Sequence, residues 1–518
     1  MQMTGQWLCN WVVSTNANDW SAAMQLGGQV RCNFEGQKLT HGGLRIGDKY
    51  TIRSDKAARR LELIAVPTSF VGSTFTVSKR ERNGIVHPLL QLRSDEIRQV
   101  FEDDEKVRIA IRNGRIVITA LQLQTKIRER LKRLKEKLAR GEKLAVTSLF
   151  HGGGVLDRAI HSGLLRAGVG SFVQVGVELE AEYLNASLRN NPDLWQADSI
   201  AICSDIRYVS LEGNIPQSDI LTGGVPCVGA SKAGRAKNDL EFAEEHDSAG
   251  TLFFDYLAWV KATNPAIVVL ENVPEYQSTA SMAVIRSVLI SLGYVLKEKV
   301  LDGSDFGALE KRKRMVMIAY TPGLGDLFSF ENLKPHKVRE ASINEILESV
   351  PLDSPRWKPY TYLSEKAVKD KATGKNFALQ RLTGNEGGCG TIGRHYFKGR
   401  STEPFLIHPE NPDLFRLFTR LEHGRVKTIP AVVTEGVSET AAHEIMGQSV
   451  VYEQFDSIGE EIGLSLFRTN IELPVSRDSL SLDVKSLIAG PDFTQNLNPA
   501  SLMLPSVVAV GSTQQMLL

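Results

Sequence analysis

Few cysteines and almost no net charge are the first constraints this sequence imposes. Five cysteines, at positions 9, 32, 203, 227 and 389, are scattered along 518 residues, and no two have the spacing of a zinc site. An odd number of scattered thiols argues against a disulfide framework, so each is read as a reduced thiol and no metal is expected. For any one of them a small buried hydrophobe is the default reading. Lys and Arg number 61 against 60 Asp and Glu, a net charge of +1. A nucleic-acid partner therefore needs local basic patches, because the whole-chain balance supplies no attraction. No apolar run is long enough to span a bilayer, so no membrane partner is expected. The opening MQMTGQWLCNWVV has no basic segment followed by a long apolar one, so no export signal is expected and the cytosol is the expected location.

What is present is a soluble, globular composition, 42% hydrophobic and 23% charged, in a chain too long for one ordinary core. Two to four domains are expected. Two similar stretches, Gly42 to Val66 and Ile97 to Leu121, each read as an alternating strand, a polar turn and a second alternating strand. Tyr50 and Ile52 then Leu61 and Leu63 mark the first; Val107, Ile109 and Ile111 then Ile116 and Ile118 mark the second. RNGR is a hairpin turn, since Asn-Gly readily takes positive φ. One hairpin cannot bury its own apolar face, so the two are expected to pack together in a module over 1–121. The pattern resembles the swapped-hairpin DNA-binding domains of AbrB-type bacterial regulators; a plain β module that props its neighbour or binds protein fits equally.

TKIRERLKRLKEKLARG, within the segment 122–143, predicts a helix with Ile127, Leu131, Leu134 and Leu138 on one stripe and Gly141 as its stop. Its many Lys and Arg suit a solvated connector, or a helix lying along DNA. From 144 to 320 apolar runs alternate with helical stretches: LAVTSLF, SFVQVGVEL, SIAICSDI, SDILTGG, AIVVLENV and RMVMIAY. Runs of this kind predict an α/β fold with a parallel sheet covered on both faces. Residues 321–410 are polar and irregular, residues 411–470 turn helical again, and the tail 471–518 has no helical periodicity and reads as disordered.

The chemistry gathers at strand ends. In LAVTSLFHGGG a strand ends at Phe150 and three glycines follow, where open α/β sheets hold cofactors at the carboxyl edge. A second strand ends in Glu178, placed for ribose hydroxyls, and a third in Asp205, placed for an adenine amino group. Together these point to an adenosine cofactor. A fourth ends at DILTGGVPCVGASKAG, which sets Cys227 after a proline where a loop begins. A fifth ends in Glu271 and Asn272. Finally KRKR places Arg312 and Arg314 two apart before an apolar strand, so both can face the same way. A thiol, a carboxyl group and two guanidiniums converge on one edge.

In this order the segments resemble DNA (cytosine-5) methyltransferases of bacterial or phage type. LFHGGG is similar to the family's cofactor loop and GGVPCVGASKAGR to its Pro-Cys nucleophile loop. DSAGTLFFDYLAWV is similar to the helix after it, LENVPEY to the Glu-Asn-Val motif and FGALEKRKRMVMIA to the Arg-x-Arg motif. RLFTRLEHGRVKTIP and TAAHEIMGQSVV look like the last two motifs, and the likeness spans roughly 144–465. It implies a Rossmann-like S-adenosylmethionine-dependent methyltransferase domain with a small target-recognition domain, beside the N-terminal hairpin repeat.

The resemblance further implies 5-methylcytosine formation in duplex DNA, for restriction protection or evasion, by an enzyme monomeric on DNA. Cys227 would be the nucleophile, Glu271 the acid at N3, Arg314 the partner of O2, and Arg312 the support of the thiolate or of the flipped nucleotide's phosphate. Phe150, Gly152, Gly154, Glu178, Leu179, Asp205, Ile206, Pro226, Leu252, Gln448 and Ser449 would hold S-adenosylmethionine. Ser231 and Arg235, on a loop closing over the extruded base, would touch DNA, with Arg394, Tyr396 and Lys398 in the recognition region. The sequence departs from the family pattern at Val228, Leu309, Glu310, Gln448 and Leu179, and keeps the thiol, the acid and both arginines. An RNA cytosine methyltransferase of the same fold, or a DNA-binding regulator with a vestigial methyltransferase domain, are the rival readings.

Overall fold

The structure, a computed structural model, describes residues 7–12, 31–35, 37–101, 106–213, 215–226, 244, 250–324, 328–374 and 379–468. The tail reading for 471–518 lies outside the described residues. In chain order the first part runs β1 (Trp7–Val12), β2 (Arg31–Glu35), α1 (Gln37–His41), β3 (Lys49–Asp55), β4 (Arg60–Val66) and β5 (Phe75–Thr76). It continues with β6 (Ser78–Arg82), β7 (Ile85–Arg93), α2 (Asp95–Val100), β8 (Lys106–Arg112) and β9 (Arg115–Ala120). β3 pairs with β4 and β8 with β9, as the alternation predicts. Asn113 and Gly114 both take positive φ, at 49° and 71°, which lets two residues close the second hairpin. β4 pairs with β9, Leu61 opposite Ile118, so the sheet order β1-β8-β9-β4-β3-β5 is palindromic about that seam. Leu61, Leu63, Val107, Ile109, Ile116 and Ile118 bury one face against Phe34, Leu90 and Leu92 of a second sheet, β2-β7-β6. Neither hairpin has a core alone; the two share one.

Helix α3 (Gln122–Arg140) follows, ended by Gly141 in the left-handed conformation at φ 65°. It is docked along one side, while Lys132 and Arg140 remain exposed. Arg130 is buried, its guanidinium 3.7 Å from the centre of the Tyr294 ring. Arg133 and Lys137 reach Asp219, a fully buried carboxylate, at 3.1 and 2.6 Å. Two of the charges that suggested solvent, Arg133 and Lys137, are taken up by an acid 80-odd residues away in sequence, a pairing no helical periodicity encodes.

The next layer is one mixed sheet with strand order β12-β11-β10-β13-β14-β16-β15. Its strands are β10 (Leu144–Leu149), β11 (Ser171–Glu178), β12 (Trp195–Cys203), β13 (Ile220–Gly223), β14 (Ile267–Asn272), β15 (Val295–Asp302) and β16 (Lys313–Tyr320). Helices α4 (Val155–Arg166), α5 (Ala181–Asn190), α6 (Leu252–Thr263) and α7 (Ala280–Ser291) intervene. β12 through β14 are parallel, but β16 runs antiparallel to both β14 and β15, so the expected all-parallel sheet is corrected to a mixed one. β15, VLKEKVLD, was not legible as a strand: it is a half-buried edge, and edges carry charge that discourages further pairing. Strand order reverses between β10 and β13, which opens a cleft at their carboxyl ends.

Beyond β16, helix α8 (Thr361–Ala372) and strands β17 (Gln380–Leu382), β18 (Pro404–Ile407) and β19 (Phe415–Arg416) form a small unit. Leu309, Ile343, Ile346, Leu382, Cys389, Ile392, Tyr396, Leu406 and Phe418 bury a separate small core there. Helices α9 (Arg420–Val426), α10 (Glu439–Gln448) and α11 (Tyr452–Arg468) then return to the large sheet. α11 lies on α4 with no room for side chains at the crossing. A Cβ at Gly163 would sit 1.9 Å from the Asp456 carbonyl oxygen, and one at Gly459 2.4 Å from that of Ile160. This contact brings the end of the described chain back beside the first glycine loop.

Candidate active site

β10 ends in an unusual backbone. Phe150 is a non-glycine residue at φ 56°, followed by Gly152 at 59° and Gly154 at 77°. An aromatic residue in the left-handed region is strained, and such strain collects at ligand sites. The loop is held from beneath by a buried network that sequence reasoning missed. Ser148 donates to Asp157 at 2.6 Å, Thr222 donates to it at 2.5 Å, and the His151 ring lies 2.9 Å from it and 2.7 Å from the Ser187 hydroxyl. Burial pushes the Asp157 carboxyl up, and the hydrogen bonds from His151, Ser148 and Thr222 more than offset it, so it sits below its ordinary value. The glycines are sterically required: a Cβ at Gly153 would meet Ile445 at 2.5 Å, and one at Gly154 would meet Ser187 at 2.5 Å. Gln448 lies over the loop, its amide nitrogen 3.9 Å from where a Gly152 Cβ would be. The early and late segments therefore meet, as the sequence reading requires.

Glu178 ends β11 and accepts from the Gly152 amide at 2.6 Å and the Glu180 amide at 2.9 Å. A carboxylate has about four acceptor sites, so lone pairs are left for ribose hydroxyls. Leu179 beside it is 61% exposed, a large apolar side chain presented at the sheet edge. Asp205 caps the turn 206–208 and grips Arg207 at 3.0 and 2.6 Å; those hydrogen bonds hold its carboxyl below the ordinary value. Ile206 and Leu252 are buried in the core beneath this edge. Ser449 turns back on itself, its hydroxyl donating to the Met446 carbonyl at 2.8 Å.

Cys227, Ser231 and Arg235 lie outside the described residues; the chain leading to them does not. Gly224 packs on the end of β14, where a Cβ would be 2.9 Å from Glu271 Oε2. Asn272, buried, donates from its side-chain amide to the Val225 carbonyl at 2.9 Å. Asn272 carried no role in the sequence reading, yet it pins the backbone two residues before the thiol. Pro226 follows, half-buried. Glu271 itself is in an ion pair with Arg314, Nε to Oε1 at 2.6 Å. Two of the four expected catalytic side chains are thus in contact, one residue-length from the described end of the thiol's loop.

Arg312 is 3% exposed and faces inward. It donates to Glu310 at 3.3 Å and to the carbonyls of Ile392 and Gly447 at 3.4 and 3.3 Å. In the recognition region Tyr396 must be withdrawn as a DNA contact. It is fully buried, its hydroxyl donates to the Pro404 carbonyl at 2.8 Å, and it accepts from the Phe418 amide at 2.9 Å. An aromatic on a polar, glycine-rich stretch was a core residue of the small unit. Arg394 is engaged with Glu180 and the Tyr183 hydroxyl, both at 3.0 Å, and joins that unit to helix α5. Lys398 is exposed, its ammonium 5.4 Å from the Phe397 ring centre. Among the described residues no cluster of His, Cys, Asp and Glu could hold a metal, and no helix is long and apolar enough to cross a membrane.

Comparison with known proteins follows the same segments. The family model for C-5 cytosine-specific DNA methylase matches residues 146–464, well over half of the chain. The chain is 30% identical over 272 residues to a Type II methyltransferase, M.MspI, of Moraxella sp, covering 52% of this chain and 61% of that protein. It is 29% identical over 275 residues to the Type II methyltransferase M.NlaX of Neisseria lactamica, covering 51% and 82% respectively. Among solved structures a methyltransferase of Entamoeba histolytica superposes with a TM-score of 0.48 at 15% identity, over 62% of this chain and 98% of that one. The glycine loop, the Pro-Cys segment, the acid and the arginines all fall within the matched residues, and the chain belongs to the C-5 cytosine-specific DNA methylase family.

Proposed function

We propose that this protein methylates C5 of a cytosine flipped out of duplex DNA, with S-adenosylmethionine as donor. The observation that supports it most is the Glu271–Arg314 pair standing against Gly224 and below Val225, at the edge that carries the strained glycine loop. The residues fit the donor: a left-handed loop with no room for side chains, an acid at the end of β11, and Gln448 over Gly152. Phe150, Gly152, Glu178, Leu179 and Asp205 hold its adenosine, and Pro226, Gln448 and Ser449 its methionine end. Bound there, it supplies an electrophilic methyl group.

The chain's own residues do the rest. Cytosine C5 is a poor nucleophile until C6 is attacked. The Cys227 thiolate adds to C6, and the electron pair of the C5–C6 bond becomes available at C5. Charge that would build on the ring is met at N3 by Glu271, which takes up a proton as the base enters and passes it to N3, and at O2 by Arg314. N3 and O2 are adjacent on one ring edge, and Glu271 and Arg314 are adjacent here, so one base engages both. After C5 gains its methyl, solvent water takes the C5 proton, that electron pair re-forms the C5–C6 double bond as the Cys227 thiolate leaves C6, and the N3 proton returns to Glu271. A base inside the stack cannot meet a thiol this way, so it is extruded, and Ser231 and Arg235 fill or hold the gap.

The test is bisulfite sequencing of plasmid DNA from a host expressing the chain, beside the Cys227→Ala variant. Cytosines protected from conversion at one sequence in the wild type alone support the proposal. Protection by the variant refutes the assigned nucleophile, and protection by neither refutes the activity. The N-terminal module adds a basic surface for the same duplex: Arg53, Arg108, Arg112 and Arg115 are exposed on the face of the sheet away from its core. Replacing Arg108, Arg112 and Arg115 by Gln should flatten the salt dependence of DNA binding, each lost phosphate contact lowering the slope by about 0.9. An unchanged slope assigns that face to protein instead.

A further inference from the structure

One departure from the family pattern, Glu310, has a partner that sequence reading did not supply. Glu310 and Lys427 are both fully buried, at 0% exposure, and their charged atoms lie 3.5 Å apart. Glu310 also accepts from the Ile392 amide at 2.8 Å and pairs with Arg312 at 3.3 Å. Lys427 spends its other donors on the carbonyls of Met446 and, at 3.3 Å, Ser449. Arg312 takes the carbonyl between them, that of Gly447, at 3.3 Å. Three carbonyls of the turn 446–449, those of Met446, Gly447 and Ser449, are thus held by two buried cations, and one carboxylate in contact with both offsets them. That turn carries Gln448, whose amide lies over Gly152.

We propose that Glu310 and Lys427 act as a positioning pair that sets the height of the 446–449 turn above the glycine loop, and so the affinity for S-adenosylmethionine. The inference rests on the proposed donor site. Neither residue reaches the donor; each acts through the turn. The carboxylate is needed because two cations are buried there, and burying a charge without a partner is costly. The lysine is needed because carbonyls facing inward require donors. Burial, and then Arg312, push the Lys427 ammonium down to about 7 against the pull of Glu310. The pair is therefore matched to itself: a change on one side alone leaves the other stranded.

The experiment is a double-mutant cycle read by calorimetric binding of S-adenosylmethionine and, separately, by duplex DNA affinity. Wild-type binding and methyl transfer are measured first. A wild type that binds no donor refutes the donor site, whatever the variants do. Given wild-type binding, Glu310→Gln and Lys427→Gln should each weaken it at least tenfold, with DNA affinity within threefold. The double variant, an amide facing an amide with a donor kept for the turn, should recover to within tenfold of wild type, the remaining loss being that of Arg312 left without its carboxylate. A purely structural role would lower the fraction of competent protein and leave the dissociation constant unchanged. Fold-changes that multiply in the double variant, or single variants within twofold of wild type, overturn the pair. If a single variant does not fold, a double variant that folds and binds within tenfold of wild type still supports the coupling, and one that also fails to fold overturns it.

Discussion

Replacing Asp219 should loosen the whole joint between the N-terminal module and the methyltransferase sheet. The carboxylate is fully buried one residue before β13 and takes three donors: the Ala145 amide at 2.8 Å, Arg133 at 3.1 Å and Lys137 at 2.6 Å. In Asp219→Ala all three lose their acceptor. The Arg133 and Lys137 side chains are only 17% and 19% exposed. Removing one side of such a pair costs about 3–5 kcal/mol, because a buried charge is left behind. Arg133 keeps the Asn264 carbonyl at 2.7 Å and the Gln217 and Ser218 oxygens, so the lower half of that range applies. Asp219→Asn keeps an acceptor for the Ala145 amide but loses the charge and sets an amide donor against Arg133, so about 2 kcal/mol is expected. The measurement is urea unfolding, where the midpoint should fall and the slope stay constant. Protease cleavage near 121–143 should rise in parallel. Adding Arg133→Met and Lys137→Met to Asp219→Ala should recover at least half of the loss. Methyl transfer per folded molecule should stay near wild type, since Asp219 sits at the amino end of β13 and Pro226 follows its carboxyl end. A loss under 1 kcal/mol for Asp219→Ala would refute the reading of α3 as a docked helix.

Three further outcomes follow from single contacts. Asn272→Ala removes the hydrogen bond to the Val225 carbonyl and should cut kcat roughly 10- to 100-fold by misplacing the thiol's loop, with donor affinity unchanged; an unaltered kcat shows the loop is held otherwise. Gly459→Ala drives a methyl to 2.4 Å from the Ile160 carbonyl and should destabilise by about 1–3 kcal/mol, read as a lower melting temperature. Glu403 is lifted by burial from 4.5 to about 7. The folded chain then keeps a proton that the unfolded chain releases between those values, so stability falls as pH rises through that window, by about 3 kcal/mol in all. Glu403→Gln should therefore match wild type at pH 4 and exceed it at pH 8; equal stability at both pH values would show the carboxyl is not buried as described.

Much of the site was legible because its chemistry is punctuated locally. Glycines after an apolar run, an acid at the next strand end, and Pro-Cys at the fourth are short patterns, and Phe150, Glu178 and Glu271 stand at strand ends as read. The hairpin repeat was legible for the same reason: strands of period two and an Asn-Gly turn are encoded within a dozen residues. Misreadings fell where the partner is distant. Tyr396 sits in a polar stretch, and only the fold shows that Phe418, Pro404, His423 and His443 close around it. β15 hid behind Lys297, Glu298 and Lys299, because an edge strand needs no apolar run to be a strand.

By itself, then, the sequence determined the alternation of strands and helices over 144–320 apart from β15, the hairpin repeat, and the residues that end the strands leading to the site, since these follow from spacing along one chain. The tertiary structure alone decided what the buried charges are for. Arg133 and Lys137 find Asp219, Lys427 finds Glu310, and Arg314 finds Glu271 only once the sheet is assembled. A charged side chain reads as solvated until the fold removes its water, and which opposite charge replaces that water is a matter of three-dimensional proximity.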